Sequence, residues 1–87
     1  MGMATVTITP TARAELEAVP LVIRARITRV FERLVDWPAV SGAKPLRGEL
    51  HGSFRIRTGD YRVVFSVSPD DEAVTVWKIG YRGNVYD

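Results

Sequence analysis

The chain has 87 residues, with 12 Lys and Arg against 10 Asp and Glu, no cysteine and a single histidine. That length makes one domain, read as residues 1–87, able to hide roughly 60% of its extended surface. The composition excludes disulfides and thiolate metal sites. One histidine supplies no ligand cluster, so neither metal nor cofactor is expected.

Residues 1–9 show no cationic segment followed by an apolar run, and no stretch reaches bilayer-spanning length. A cytoplasmic protein that keeps away from membrane is therefore expected. Residues 4–9 alternate β-branched side chains and predict a short strand. Thr9-Pro10 then opens a helix, with threonine as cap and proline at the first helical position. Ala12, Leu16 and Val19 form its apolar stripe, leaving Arg13, Glu15 and Glu17 off it.

Pro20 separates this helix from a longer one over residues 21–36. Ile23, Ile27, Val30, Phe31 and Leu34 follow helical spacing and leave Arg24, Arg26, Arg29, Glu32, Arg33 and Asp36 outside. Those arginines read as a solvated face, because acidic residues interleave with them and no aromatic stacks among them. Trp37-Pro38 stops the helix, and residues 39–47 read as a loop leading to a hairpin.

The hairpin is the centre of the chain. Residues 53–67 alternate apolar and polar on both sides of a turn expected at Thr58-Gly59. A two-residue loop there sets Arg57 opposite Asp60, Ile56 opposite Tyr61, Arg55 opposite Arg62 and Phe54 opposite Val63. Phe54, Ile56, Tyr61, Val63 and Phe65 then share one face, and Arg55, Arg57 and Arg62 the other. Like charges facing each other on a sheet cost up to about 1 kcal/mol, and planar guanidinium groups grip phosphate through paired hydrogen bonds. One reading is a phosphate-binding sheet face. The other is three arginines splayed into solvent or paired with Asp60 and an acidic partner.

Residues 42–68 hold Lys44, Arg47, Arg55, Arg57 and Arg62 against Glu49 and Asp60. Such a cationic segment suits a polyanion or an acidic protein. Ser68-Pro69-Asp70-Asp71 makes a turn. Residues 73–79 form a third strand whose two sides are too similarly apolar to assign, and Gly80 is expected to end it. The assembled fold class is α+β: an N-terminal strand, then two helices on one face of a twisted antiparallel sheet completed by a three-strand meander. The arginine face stays open and concave.

The segment Lys44-Pro-Leu-Arg-Gly-Glu-Leu-His-Gly-Ser-Phe-Arg-Ile-Arg-Thr-Gly-Asp-Tyr-Arg-Val-Val-Phe65, followed by Ile79-Gly-Tyr-Arg-Gly-Asn-Val-Tyr86, resembles the RelE/ParE superfamily of bacterial and archaeal toxins. The likeness spans nearly the whole chain. It implies a toxin of a type II toxin-antitoxin system, neutralised by a cognate RelB-like antitoxin. A RelE-type member would be a ribosome-dependent endoribonuclease cutting messenger RNA. A ParE-type member would act on DNA gyrase, and a decayed one would only bind antitoxin; fold alone does not decide among them.

By that resemblance Arg55 and Arg57 stand where RelE commonly has lysines, and Arg62, Arg82 and Tyr86 match its arginines and terminal tyrosine. The implied catalytic set is Arg55, Arg57, Arg62, Arg82 and Tyr86, with Lys44 and Arg47 assisting RNA binding. Arg55, Arg57 and Arg62 would hold phosphate, Arg82 would assist the leaving group, and Tyr86 would stack on a base or transfer a proton. Arginine remains protonated, so Arg55 and Arg57 are poor general bases. Tyr86 is the nearest substitute. His51 reads as a plain surface residue, Glu49 as an exposed turn carboxylate, and Trp37 and Trp77 as packing residues.

Overall fold

Five strands and two helices appear in the computed structural model, which describes residues 4–50 and 52–81. In chain order they are β1 (Thr5–Ile8), α1 (Pro10–Ala18), α2 (Leu21–Leu34), β2 (Lys44–Pro45), β3 (Ser53–Thr58), β4 (Tyr61–Val67) and β5 (Ala73–Tyr81). The sheet runs β1-β5-β4-β3-β2, and both helices pack on one face of it.

The helix signals act as expected. Thr9 Oγ1 accepts from the Ala12 amide at 3.2 Å, satisfying one of the free donors of the first turn, and Pro10 occupies a position that needs no N–H. Helix α2 stops two residues short of the expected Asp36. The Asp36 and Trp37 amides bond back to Arg33 and Leu34, three residues behind, which tightens the chain out of α geometry.

Ala12, Ile27, Val30 and Leu34 from the helices bury against Ile56, Val63, Phe65, Val74, Val76 and Ile79 from the sheet. Removing that apolar surface from water is the main force holding the layers together. Trp37 joins them: its ring lies 4.8 Å from Phe54 and 5.4 Å from Phe65 in edge-on contacts. Its indole N–H donates to Asp71 Oδ1 at 3.0 Å, tying the end of α2 to the β4–β5 turn. The packing role expected of Trp37 holds.

Four expectations need correction. The sheet is mixed, because β1 pairs parallel to β5 while the other pairs are antiparallel. A parallel pair needs a long crossover, and here everything from α1 to β4 lies between the two strands.

The hairpin register also differs. The loop is Gly59-Asp60, so Thr58 faces Tyr61, Arg57 faces Arg62, Ile56 faces Val63 and Arg55 faces Val64. Gly59 takes a φ of 60°, the left-handed value that a tight hairpin asks of its first central residue and that glycine adopts without penalty. Each partner has moved by two residues, so every side chain keeps its expected face.

Gly80 does not end the third strand. It lies inside β5, opposite Arg62. Upstream, the ladder passes from Val64–Lys78 to Phe65–Val76, leaving Trp77 as the extra residue of a β-bulge. The bulge explains why neither side of residues 73–79 looked like the inner one. Val74, Val76 and Ile79 all reach the main core, although strict alternation would put Ile79 on the other face from the two valines.

Finally, the arginine face is partly covered. Leu46, seven residues before the hairpin in the expected loop, buries with Val64 in a second small cluster flanked by Leu50 and Trp77. The two-residue strand β2 and the Leu46 amide, which donates to the Ser53 carbonyl at 2.9 Å, fold this segment onto the sheet.

Candidate nucleic-acid interface

The face of the sheet turned away from the helices carries its polar residues in rows. Strand alternation puts Ser53, Arg55 and Arg57 of β3 on this face, since Phe54 and Ile56 point into the core. On β4 the same argument selects Arg62, Val64 and Ser66. The ladder then aligns them across strands: Arg57 with Arg62 and Gly80, Lys44 with Arg55 and Val64, Ser53 with Ser66 and Thr75.

Directly opposed residues on neighbouring strands sit about 5 Å apart, and residues two apart on one strand about 7 Å. Lys44, Arg55, Arg57 and Arg62 are therefore four cations on adjacent positions of one surface. Their exposure differs. Arg55 is 8% and Arg62 5% exposed, whereas Arg57 and Lys44 lie open to solvent. Two guanidinium groups are thus withdrawn into the protein and two cations flank them at the rim. Such a surface presents fixed positive charge, partly shielded from water, to an anion.

The sequence-derived set divides three ways. Arg55, Arg57, Arg62 and Lys44 come together. Arg47 lies just past β2, exposed and off the ladder. Arg82 and Tyr86 follow β5 in the chain and lie outside the described residues, as does His51. Glu49 is exposed in a short 3-10 turn, Gly48–Leu50, in keeping with a plain surface carboxylate.

Two further residues border this face. Gly80, expected to end the strand, instead adds no side chain beside Arg62 at that end of the row. Trp77 packs against the Leu46–Val64 cluster, on the face that alternation from the buried Val74 and Val76 gives it. At the sheet end, Tyr81 pairs with Tyr61, their rings 5.6 Å apart and almost perpendicular.

Known proteins resemble this chain in sequence and in fold. A family model described as the ParE toxin of type II toxin-antitoxin systems matches residues 6–86. Among curated proteins, Toxin RelG of Mycobacterium tuberculosis is 35% identical over 83 residues, covering 94% of each chain. Toxin RelE of the same organism is 38% identical over 82 residues, covering 93% of this chain and 84% of its own. The toxin-antitoxin complex RelBE2 from Mycobacterium tuberculosis superposes with a TM-score of 0.81 at 33% identity, over 97% of each chain. The archaeal RelE-RelB complex from Pyrococcus horikoshii gives 0.71 at 25% identity, over 95% of this chain and 99% of that one.

Proposed function

Since the chain belongs to the RelE/ParE superfamily of type II toxins, we propose that it is a RelE-type endoribonuclease that cuts messenger RNA on the ribosome and is held in check by a RelB-like antitoxin. The observation that carries this reading is the row of Arg57 opposite Arg62, next to the row of Lys44 opposite Arg55. The curated relatives bear RelG and RelE names, which favours RNA over gyrase as the target. Two of the similar structures are toxins in complex with an antitoxin, which supports an antitoxin partner.

The chemistry follows from the charges. A ribose 2′-hydroxyl attacks the neighbouring phosphorus, the bond to the 5′-oxygen breaks, and negative charge builds on the phosphoryl oxygens in between. Cations fixed at that point stabilise the transition state more than the substrate, and each well-aimed donor contributes about 3–4 kcal/mol. Arg57 and Arg62 grip the scissile phosphate, Arg55 supports them, and Lys44 with Arg47 holds the adjoining backbone. Arg82 neutralises the departing oxygen. Because no arginine can accept the 2′-hydroxyl proton at neutral pH, Tyr86 is assigned to that transfer or to stacking on a base. The stabilising charge comes from side chains, so the reaction is metal-independent.

Primer extension on messenger RNA translated in the presence of the purified protein tests this. Codon-linked cuts are expected, and the cognate antitoxin should suppress them. Intact messenger RNA together with linearised plasmid in a gyrase assay would replace this reading with the ParE-type one.

A further inference from the structure

Strand β5 has a neighbour on its outer edge only as far as Val76. There the Thr9 amide donates to the Val76 carbonyl at 2.9 Å, β1 ends, and the chain turns away into α1. From that point a side chain takes over the role of a strand. Glu15, on the second turn of α1, reaches back to β5, where its Oε1 accepts from the Ile79 amide at 2.9 Å and its Oε2 from Lys78 Nζ at 2.7 Å. Both side chains are mostly buried, with 33% of Lys78 and 24% of Glu15 exposed.

The place of this clasp gives it meaning. It grips β5 immediately after the Trp77 bulge, where ladder regularity has just been lost. The next residue, Gly80, faces Arg62, the one after, Tyr81, faces Tyr61, and the chain continues from there to Arg82. A helix that packs by its apolar stripe has no need of a carboxylate off that stripe. A strand end that must hold a fixed register beside Arg62 does.

We propose that Glu15 is a positioning residue for RNA cleavage: its carboxylate fixes the C-terminal end of β5 through the Ile79 amide, and so holds Gly80 in register beside Arg62 of the Arg57–Arg62 row. This rests on the endoribonuclease reading above. The bond to the amide carries the effect, because a hydrogen bond to backbone is directional, whereas a partly exposed ion pair contributes little.

The test is single-turnover cleavage of a defined messenger RNA on programmed ribosomes, with circular dichroism showing each variant folded at the assay temperature. Misplacing catalytic groups by about 1 Å costs up to a hundredfold in rate, so Glu15→Ala should cut about 10- to 100-fold more slowly, with unchanged half-saturation by ribosomes. Glu15→Met, which keeps the packing of the stem but offers no oxygen, should behave the same and serves if the alanine variant does not fold. Glu15→Gln, which retains an acceptor for the Ile79 amide, and Lys78→Met, which removes only the ion pair, should both remain close to wild type. Folded Glu15→Ala or Glu15→Met cutting at the wild-type rate would overturn the role of Glu15 alone, as would a glutamine variant no better than alanine. Absence of cutting by the wild-type protein would overturn the endoribonuclease reading itself.

Discussion

Arg57 and Arg62 stand directly opposite one another across the β3–β4 ladder, one rung in from the Gly59-Asp60 loop. Two guanidinium groups so placed repel, at a cost of up to about 1 kcal/mol. The proposed function makes that repulsion useful when a phosphate lies between them.

Activity and stability should therefore part company at this rung. Arg57→Gln leaves a polar, exposed side chain, shorter than arginine, while removing its charge. Its urea midpoint should shift by no more than about 1 kcal/mol of stability in either direction, while ribosome-dependent cleavage falls at least about tenfold. A variant that is clearly destabilised and still fully active would contradict the assignment.

Asp71 joins two demands at one position. It accepts from the Trp37 indole N–H and holds a φ of 61°. Asparagine offers an oxygen and tolerates left-handed backbone; alanine does neither well. Asp71→Asn is expected to cost less than about 1 kcal/mol, and Asp71→Ala about 2–4 kcal/mol, since a buried donor then loses its acceptor and the backbone is strained. Equilibrium urea unfolding followed by Trp fluorescence measures both, and equal losses would mean that neither demand matters.

The same turn makes stability depend on acid. The Ser68 hydroxyl, at 2.6 Å, and then the Glu72 amide, at 3.0 Å, donate to Asp70 and hold its carboxyl below the usual aspartate value. With the folded pKa lowered, the folded state favours the ionised form. Its contribution is complete above the ordinary aspartate pKa of about 3.9 and disappears as pH falls through the lower folded value. Wild type should therefore unfold at a higher urea concentration than Ser68→Ala at pH 7, with the gap narrowing in strong acid to the share of the Ala73 amide, which donates to Ser68 Oγ at 3.0 Å at every pH. A gap that is constant from neutral pH downward would show that the carboxylate has no part in it.

How far the chain could be read from its residues follows from what each pattern constrains. The Thr9-Pro10 cap, the stripe from Ile23 to Leu34 and the two faces of the hairpin were all legible, because local spacing determines them. The hairpin register was not. Moving each partner by two residues preserves every face, so alternation cannot choose between Arg55 and Arg57 as the residue facing Arg62. Strand β2 was hidden by its length and its proline. The pairing of β1 with β5 spans nearly the full sequence, and the Trp77 bulge leaves no local mark. In the site, the arginines of β3 and β4 were evident as a group, but Leu46 and Trp77 closing over part of their face, and Glu15 reaching Ile79, depend on those same non-local arrangements.

The burial of Arg55 and Arg62 bears on how fast such a toxin could act. A cation on a loose surface must shed ordered water and choose one rotamer each time an anion arrives. For these two, most of that loss has already occurred when the chain folds. If the proposed function holds, an arriving phosphate would meet groups whose dehydration has already been met by folding, and less reorganisation would separate encounter from reaction.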